Sequence, residues 1–389
     1  SLKRQFKMKN NNLHISMTPF THESRVLKEV NTISSQTDIE EIYIAALHEN
    51  DLLQNEKISD QISLKRFILK TRNFPKNIPF QLIKYVEFIF KTYFFYRKKN
   101  IKVINIHTLA LLPLGVFLKY SFGAKLIYDT HELETETRNL KGFKKLLVKK
   151  LEAFLIHECD GVICVNKSIG QWYQERYKME NTPTVVLNTP RFKKFKEKKD
   201  LFREEFSIDK KAMICLYQGG LTTGRNIETL LTAFSENNDP SCVIVLMGFG
   251  PLEDTVKRYA KIHSNIFFKQ AVSQKDLIHY TSSADIGFVL IDKGSLSYEL
   301  SLPNKLFEYA MAGLGIIASD NFEIKNYVER YNSGLCLSEV NPIRLNDILK
   351  KIKNEELNVF SKNALIMFQE NNWEHQENVL IDIYKKVLL

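Results

Sequence analysis

Short apolar runs recur along the chain at intervals that leave room for a helix between most of them. In the first half they fall at residues 13–17, 42–46, 103–106, 125–128, 161–165 and 184–187. After Pro190 they fall at 213–217, 242–247, 266–268, 286–290, 315–319 and 334–337. Runs this short, rich in Ile and Val, read as strands. Helical patterns separate them, from about Ser24 onward and again at 227–234 and 252–262. Strand–helix repetition of this kind predicts parallel sheets covered on both faces.

A length of 389 residues exceeds one ordinary core. The two series therefore predict an α/β protein of two Rossmann-like, doubly wound domains facing across a cleft, with ligands at the strand C-terminal ends. The charged stretch 191–200, after Asn188-Thr189-Pro190, marks the expected boundary. The expectation is one domain over 1–192 and a second over 193–370, with a helix at about 371–389 packing back on the first.

Composition changes this picture little. Forty-four per cent apolar residues with 15 Gly and 10 Pro argue against a disordered or fibrous chain. The formal charge of +10 favours anionic partners, although Lys, Asn and Ile richness also fits an AT-rich genome. No nucleic-acid-binding motif is present, and none of that class is expected as a partner. Cys159, Cys164, Cys215, Cys242 and Cys336 are scattered without CxxC spacing, which predicts reduced thiols and no metal site. With neither a signal-peptide pattern nor a bilayer-spanning run, a cytoplasmic location is expected.

Three segments carry candidate chemistry. At Pro303-Asn304-Lys305-Leu306-Phe307-Glu308 a helix start is predicted, whose free N–H groups and dipole suit a diphosphate. Lys305 adds a positive charge there, and Glu308, one turn on, can accept from the vicinal hydroxyls of a ribose. A surface helix with a Lys–Glu pair explains the same residues. At Gly219-Gly220-Leu221-Thr222-Thr223-Gly224-Arg225 a glycine-bearing turn precedes another helix, and Arg225 can hold phosphate oxygens. Gly248-Phe249-Gly250 closes a strand in the same way; a structural turn accounts for both glycine pairs.

Taken together and in order, these residues resemble the donor half of glycosyltransferase family 4. Asp129-Thr130-His131-Glu132 after a strand is similar to that family's acceptor-half D-x-H-E segment, and residues 159–168 resemble its A-D-x-V-I-x-V-S element. The resemblance runs from about Leu13 to the helix around Trp373. It implies the GT-B fold and retaining transfer of a sugar from a nucleoside-diphosphate sugar, a UDP-sugar slightly preferred, with no cofactor or metal. It implies that Arg225 and Lys305 neutralise the leaving diphosphate and that Glu308 binds the ribose. Donor contacts would also come from Gly219, Gly220, Gly248, Asn304 and Leu306, and from the base-reading backbone at Ala271 and Val272. His131 would sit beside the reacting sugar, with His107 and Glu132 toward the acceptor. For His107 a purely structural role is the stronger reading of the residue itself.

Three positions depart from the family pattern. Leu300 stands where a first Glu is common, Gly315 where a proline is common, and the first strand is followed by residues 19–25 without a glycine-rich loop. The acceptor expected is a glycan or lipid-linked hydroxyl, in bacterial surface polysaccharide, lipopolysaccharide or glycolipid synthesis. A non-catalytic partner subunit, or a sugar-nucleotide epimerase or hydrolase, uses the same features differently. Two stretches, 83–99 and 140–156, interleave apolar and basic residues. Each reads first as a helix packed on its sheet, and alternatively as a contact with an anionic membrane, on its inner face.

Overall fold

The computed structural model describes residues 10–49, 51–75, 77–193 and 199–389. Residues 194–198 of the charged stretch lie outside the described residues. The chain divides into two compact units, residues 1–186 with 377–389 and residues 187–376.

The first unit holds eight strands: β1 Asn11–Ile15, β2 Glu41–Leu47, β3 Asn55–Lys57, β4 Ile62–Phe67, β5 Ile101–Ile106, β6 Lys125–Thr130, β7 Gly161–Cys164 and β8 Thr184–Val185. Their order is β3-β4-β2-β1-β5-β6-β7-β8, parallel except for the β3–β4 pair. Because β1 lies between β2 and β5, the chain reverses its direction of winding there. A crevice at the strand C-terminal ends is the usual consequence. β5 and β6 end at that rim, just before His107 and His131.

The second unit holds β9 Met213–Gly220, β10 Cys242–Phe249, β11 Ile266–Gln270, β12 Ile286–Val289, β13 Gly315–Ser319 and β14 Gly334–Leu337. All pairings among them are parallel, in the order β11-β10-β9-β12-β13-β14, with the reversal between β9 and β12. One side of this sheet closes on the helix Ile227–Asn237, where Ile227, Leu230, Leu231 and Phe234 are buried against Cys215, Tyr217, Ile244 and Leu246. That spacing is the apolar stripe of an amphipathic helix.

The fold class is therefore the one expected, two α/β units with parallel sheets. β3 and β4 are additions that the apolar runs did not show. In Ile62-Ser63-Leu64-Lys65-Arg66 the apolar residues alternate with polar ones, and Arg66 is buried by an ion pair to Glu56 (2.8 Å) and a hydrogen bond to the Pro19 carbonyl (2.7 Å). β1 begins earlier than its apolar run because Asn12 is buried and spends its amide on the Val103 carbonyl (3.0 Å) and Asn105 Oδ1 (2.8 Å). The last helix, Trp373–Leu388, belongs to both units. Trp373 is fully buried and its N–H donates to the Pro190 carbonyl at 3.1 Å, whereas Tyr384 donates to Asn105 of the first unit at 2.8 Å. None of the five cysteines is in a disulfide.

Candidate active site

In the second unit the strand register sets Gly219, Gly248 and Gln270 side by side on β9, β10 and β11. The backbones come so close that a Cβ on Gly248 would lie 1.9 Å from the Gly219 carbonyl oxygen. The glycines thus have a packing reason of their own, and they leave Gly219 and Gly220 exposed as bare backbone. Ala271 and Val272 follow β11 at the same rim, Ala271 exposed and Val272 half-buried.

The helix Asn304–Ala312 starts after Pro303, whose backbone is extended, and no side chain caps it. The Leu306 N–H donates to the Pro303 carbonyl at 3.1 Å. It is thus spent within the turn, and the donors left for an anion are those of Asn304 and Lys305. Lys305 places its ammonium 3.9 Å from the centroid of the Tyr217 ring, and a Cβ on Gly219 would lie 3.4 Å from its Nζ. Arg225 follows Gly224, whose φ of +82° suits glycine, and stacks its guanidinium over Tyr298 at 5.3 Å. Among the described residues neither Arg225 nor Lys305 forms an ion pair with a carboxylate.

Loss of water around the ammonium, and then the Arg225 charge, pull the Lys305 pKa down to about 7 against the opposing pull of Glu308. Two neighbouring cations, each resting on an aromatic face, repel one another until an anion joins them. An anionic diphosphate favours the charged form of Lys305, so binding takes up a proton. For a nucleoside diphosphate, affinity should fall by up to tenfold per pH unit above pH 7, and Lys305→Arg should flatten that dependence. Calorimetric titration between pH 7 and 8.5, in buffers of different ionisation enthalpy, checks both.

Glu308 is held by groups that sequence reasoning missed. Its Oε2 accepts from Gln218 Nε2 at 2.5 Å, and Gln218 Oε1 accepts from Thr281 at 2.7 Å. The Gln218 N–H donates to the Tyr309 hydroxyl at 2.9 Å. The available signal was a polar residue ending an apolar strand just before Gly219-Gly220. Leu300 ends the short helix Leu296–Glu299, and Glu299 is exposed beside it.

In the first unit His131 follows β6 with its side chain 37% exposed, and Glu132 is exposed next to it. His131 Nε2 lies 3.1 Å from Asp129 Oδ2, and buried His107 brings Nδ1 to 3.2 Å from the same oxygen. Arg25 donates to both Asp129 oxygens, at 3.0 and 2.8 Å. Burial opposes a charge on Asp129, but Arg25 and the two histidines outweigh it and hold the carboxyl well below the usual range. Burial pushes the His107 imidazole down. His107, Asp129 and His131 offer ligand atoms within 4.8 Å of one another, a spacing compatible with a metal ion. The Arg25 fork supplies positive charge to the same carboxylate.

Residues 198–367 match the family described as glycosyl transferases group 1, and residues 40–190 match glycosyltransferase family 4. No curated protein sequence matches. Among solved structures, the chain is similar to sucrose-phosphate synthase from Thermosynechococcus elongatus, at a TM-score of 0.79 and 16% identity, covering 97% of this chain and 99% of that one. It is similar to Anabaena HepE, solved with UDP-glucose, at 0.73 and 12%, covering 96% and 99%. A glycosyltransferase from Rickettsia africae gives 0.72 and 15%, covering 98% and 99%. Likeness at these identities concerns the fold. The chain is a sugar-transferring protein of the GT-B type. It belongs to the group 1, family 4 glycosyltransferases.

Proposed function

We propose that this chain is a retaining, metal-independent hexosyltransferase that moves a sugar from a nucleoside-diphosphate sugar to a glycan or lipid-linked hydroxyl. The second unit binds the donor, and the first supplies His131 and exposed Glu132, whereas His107, expected toward the acceptor, is buried with both ring nitrogens taken by Asp129 and His14 and has a structural role. The carrying observation is the pair Arg225 and Lys305, two neighbouring cations that form no ion pair with a carboxylate among the described residues, at a helix start whose Glu308 is held ready by Gln218. A UDP-sugar is the preferred donor, in keeping with the UDP-glucose bound by Anabaena HepE. The arginine and lysine take the role a metal would otherwise have as the diphosphate leaves. The test is release of nucleoside diphosphate from a panel of sugar nucleotides offered with saccharide and polyprenyl-linked acceptors. Release that needs no added divalent ion supports the reading, and an inert protein across the panel contradicts it.

The proposed setting is surface polysaccharide, lipopolysaccharide or glycolipid synthesis in a bacterium, on the cytoplasmic face of the membrane. Support comes from the first unit, where the helix Gly142–Leu155 exposes Phe143, Leu146, Leu147, Leu151 and Phe154 beside exposed Lys144 and Lys150. The helix Ile78–Tyr96 likewise exposes Leu82, Ile83, Val86, Phe90 and Phe94. The simpler expectation, a packed apolar stripe under a solvated charged face, accounts poorly for so many exposed apolar side chains on both helices. Among the described residues no helix is long and apolar enough to cross a membrane. The protein should float with vesicles rich in phosphatidylglycerol and not with pure phosphatidylcholine. Lys144→Glu with Lys150→Glu should weaken that binding, each lysine being worth about 1 kcal/mol.

A further inference from the structure

The buried polar cluster of the first unit is more elaborate than a packing role requires. Asp129 is fully buried, as are Arg25 and Glu29 on the helix Ser24–Gln36. Replacing a buried ion pair by apolar residues of similar volume is often neutral or stabilising, so the fold alone gives no reason for this set. What the set achieves is immobility. Arg25 Nε and Nη2 take the two Asp129 oxygens, and Nη1 donates to the Val186 carbonyl at 2.9 Å. His107, on the same Oδ2, contacts His14 through Nε2 and Nδ1 at 2.9 Å, and His14 contacts Asn12 at 2.8 Å. The carboxylate is thereby anchored to the backbone of β5 and to the segment after β8. On the rim side, His131 Nε2 lies 3.1 Å from the same Oδ2.

A carboxylate only accepts hydrogen bonds. The nitrogen facing Asp129 must therefore carry the proton, and in the neutral ring the other nitrogen must be bare. We propose that Asp129 is a positioning residue that holds neutral His131 in its Nε2–H form, so that Nδ1 is offered as an acceptor to a hydroxyl of the sugar donor or acceptor. This rests on the reading of His131 as an active-site residue. Arg25 supports it by keeping Asp129 ionised, and His107 by restricting its rotation.

The test begins with the unaltered chain. With histidine labelled in 15N and His131 assigned by comparison with His131→Gln, the neutral ring should show a protonated Nε2 and a bare Nδ1. A dominant Nδ1–H form, or an even mixture, overturns the proposal whatever the activity. For Asp129→Asn, whose amide can donate and reverse the ring's proton, kcat should fall on the order of a hundredfold with the donor KM unchanged. Asp129→Glu should restore part of that loss. Should Asp129→Asn not fold, the tautomer of the unaltered chain still decides. A wild-type rate for His131→Ala would overturn this proposal together with the active-site reading. An inactive His131→Ala with an Nδ1–H ring would overturn this proposal alone.

Discussion

Lys305→Ala should lower the rate of sugar transfer by a hundredfold or more while leaving the fold intact. The side chain extends from the first turn of the helix Asn304–Ala312 over the face of Tyr217, with Arg225 near enough to depress its pKa. In the free protein this arrangement is electrostatically costly, because two cations share a site and, among the described residues, neither forms an ion pair with a carboxylate. Negative charge accumulating on a departing diphosphate reverses that cost. Preorganised groups aimed at developing charge are worth roughly 3 kcal/mol each. Arg225→Ala should give a loss of the same order. Since Lys305 carries a charge that folding alone would rather leave in water, its removal should leave the melting temperature unchanged or slightly raised. Rates from diphosphate release and melting curves on the same samples check both parts. A variant that melts early and is inactive would point to a packing role instead.

The largest stability effect should come from Arg25→Ala. The guanidinium is buried, binds both oxygens of Asp129 and lies 3.0 Å from Glu29 Oε1. Removing one partner of such a pair leaves an uncompensated buried charge, at a cost of about 3–5 kcal/mol. For a unit of this size that is a drop of about 10 °C in melting temperature. The pH dependence has a definite sign. In the wild type the Asp129 carboxyl is held below the ordinary range, so its contribution is present above about pH 4 and is lost only as pH falls through the lowered value. In the variant a proton can neutralise Asp129 at milder acidity, so the gap between the two proteins should narrow as pH falls. Scanning calorimetry at neutral and mildly acidic pH measures it, and a gap that stays constant would contradict the account.

The strands of the second unit were legible in the sequence because they are buried on both faces, which makes them continuous apolar runs such as 242–247. β4 was not, since its polar positions are paid for by ion pairs and backbone contacts that only the folded chain reveals. The helix start at Pro303 was equally plain, as proline and a following amphipathic turn are local signals. Its surroundings were not. That Tyr217 lies under Lys305 depends on the register of β9 against β10 and β12, and that Gln218 holds Glu308 depends on a helix about ninety residues away. The role of Asp129 was hidden for the same reason. Its neighbour two residues on, His131, stood out from the D-x-H-E segment, whereas Arg25 and His107 reach the carboxylate from elements far apart in the chain.

The claim that the second unit binds a nucleoside-diphosphate sugar is tested most directly by thermal shift. The intact protein would be melted with UDP, GDP, ADP, dTDP and CMP, and with their common sugars. A nucleotide at a hundred times its dissociation constant should stabilise the protein by about 2.7 kcal/mol. The account predicts such a shift for one nucleoside diphosphate and its sugars, UDP first, with the shift much reduced in Arg225→Ala and Lys305→Ala. Silence across the panel, or an equal shift in both variants, would contradict it.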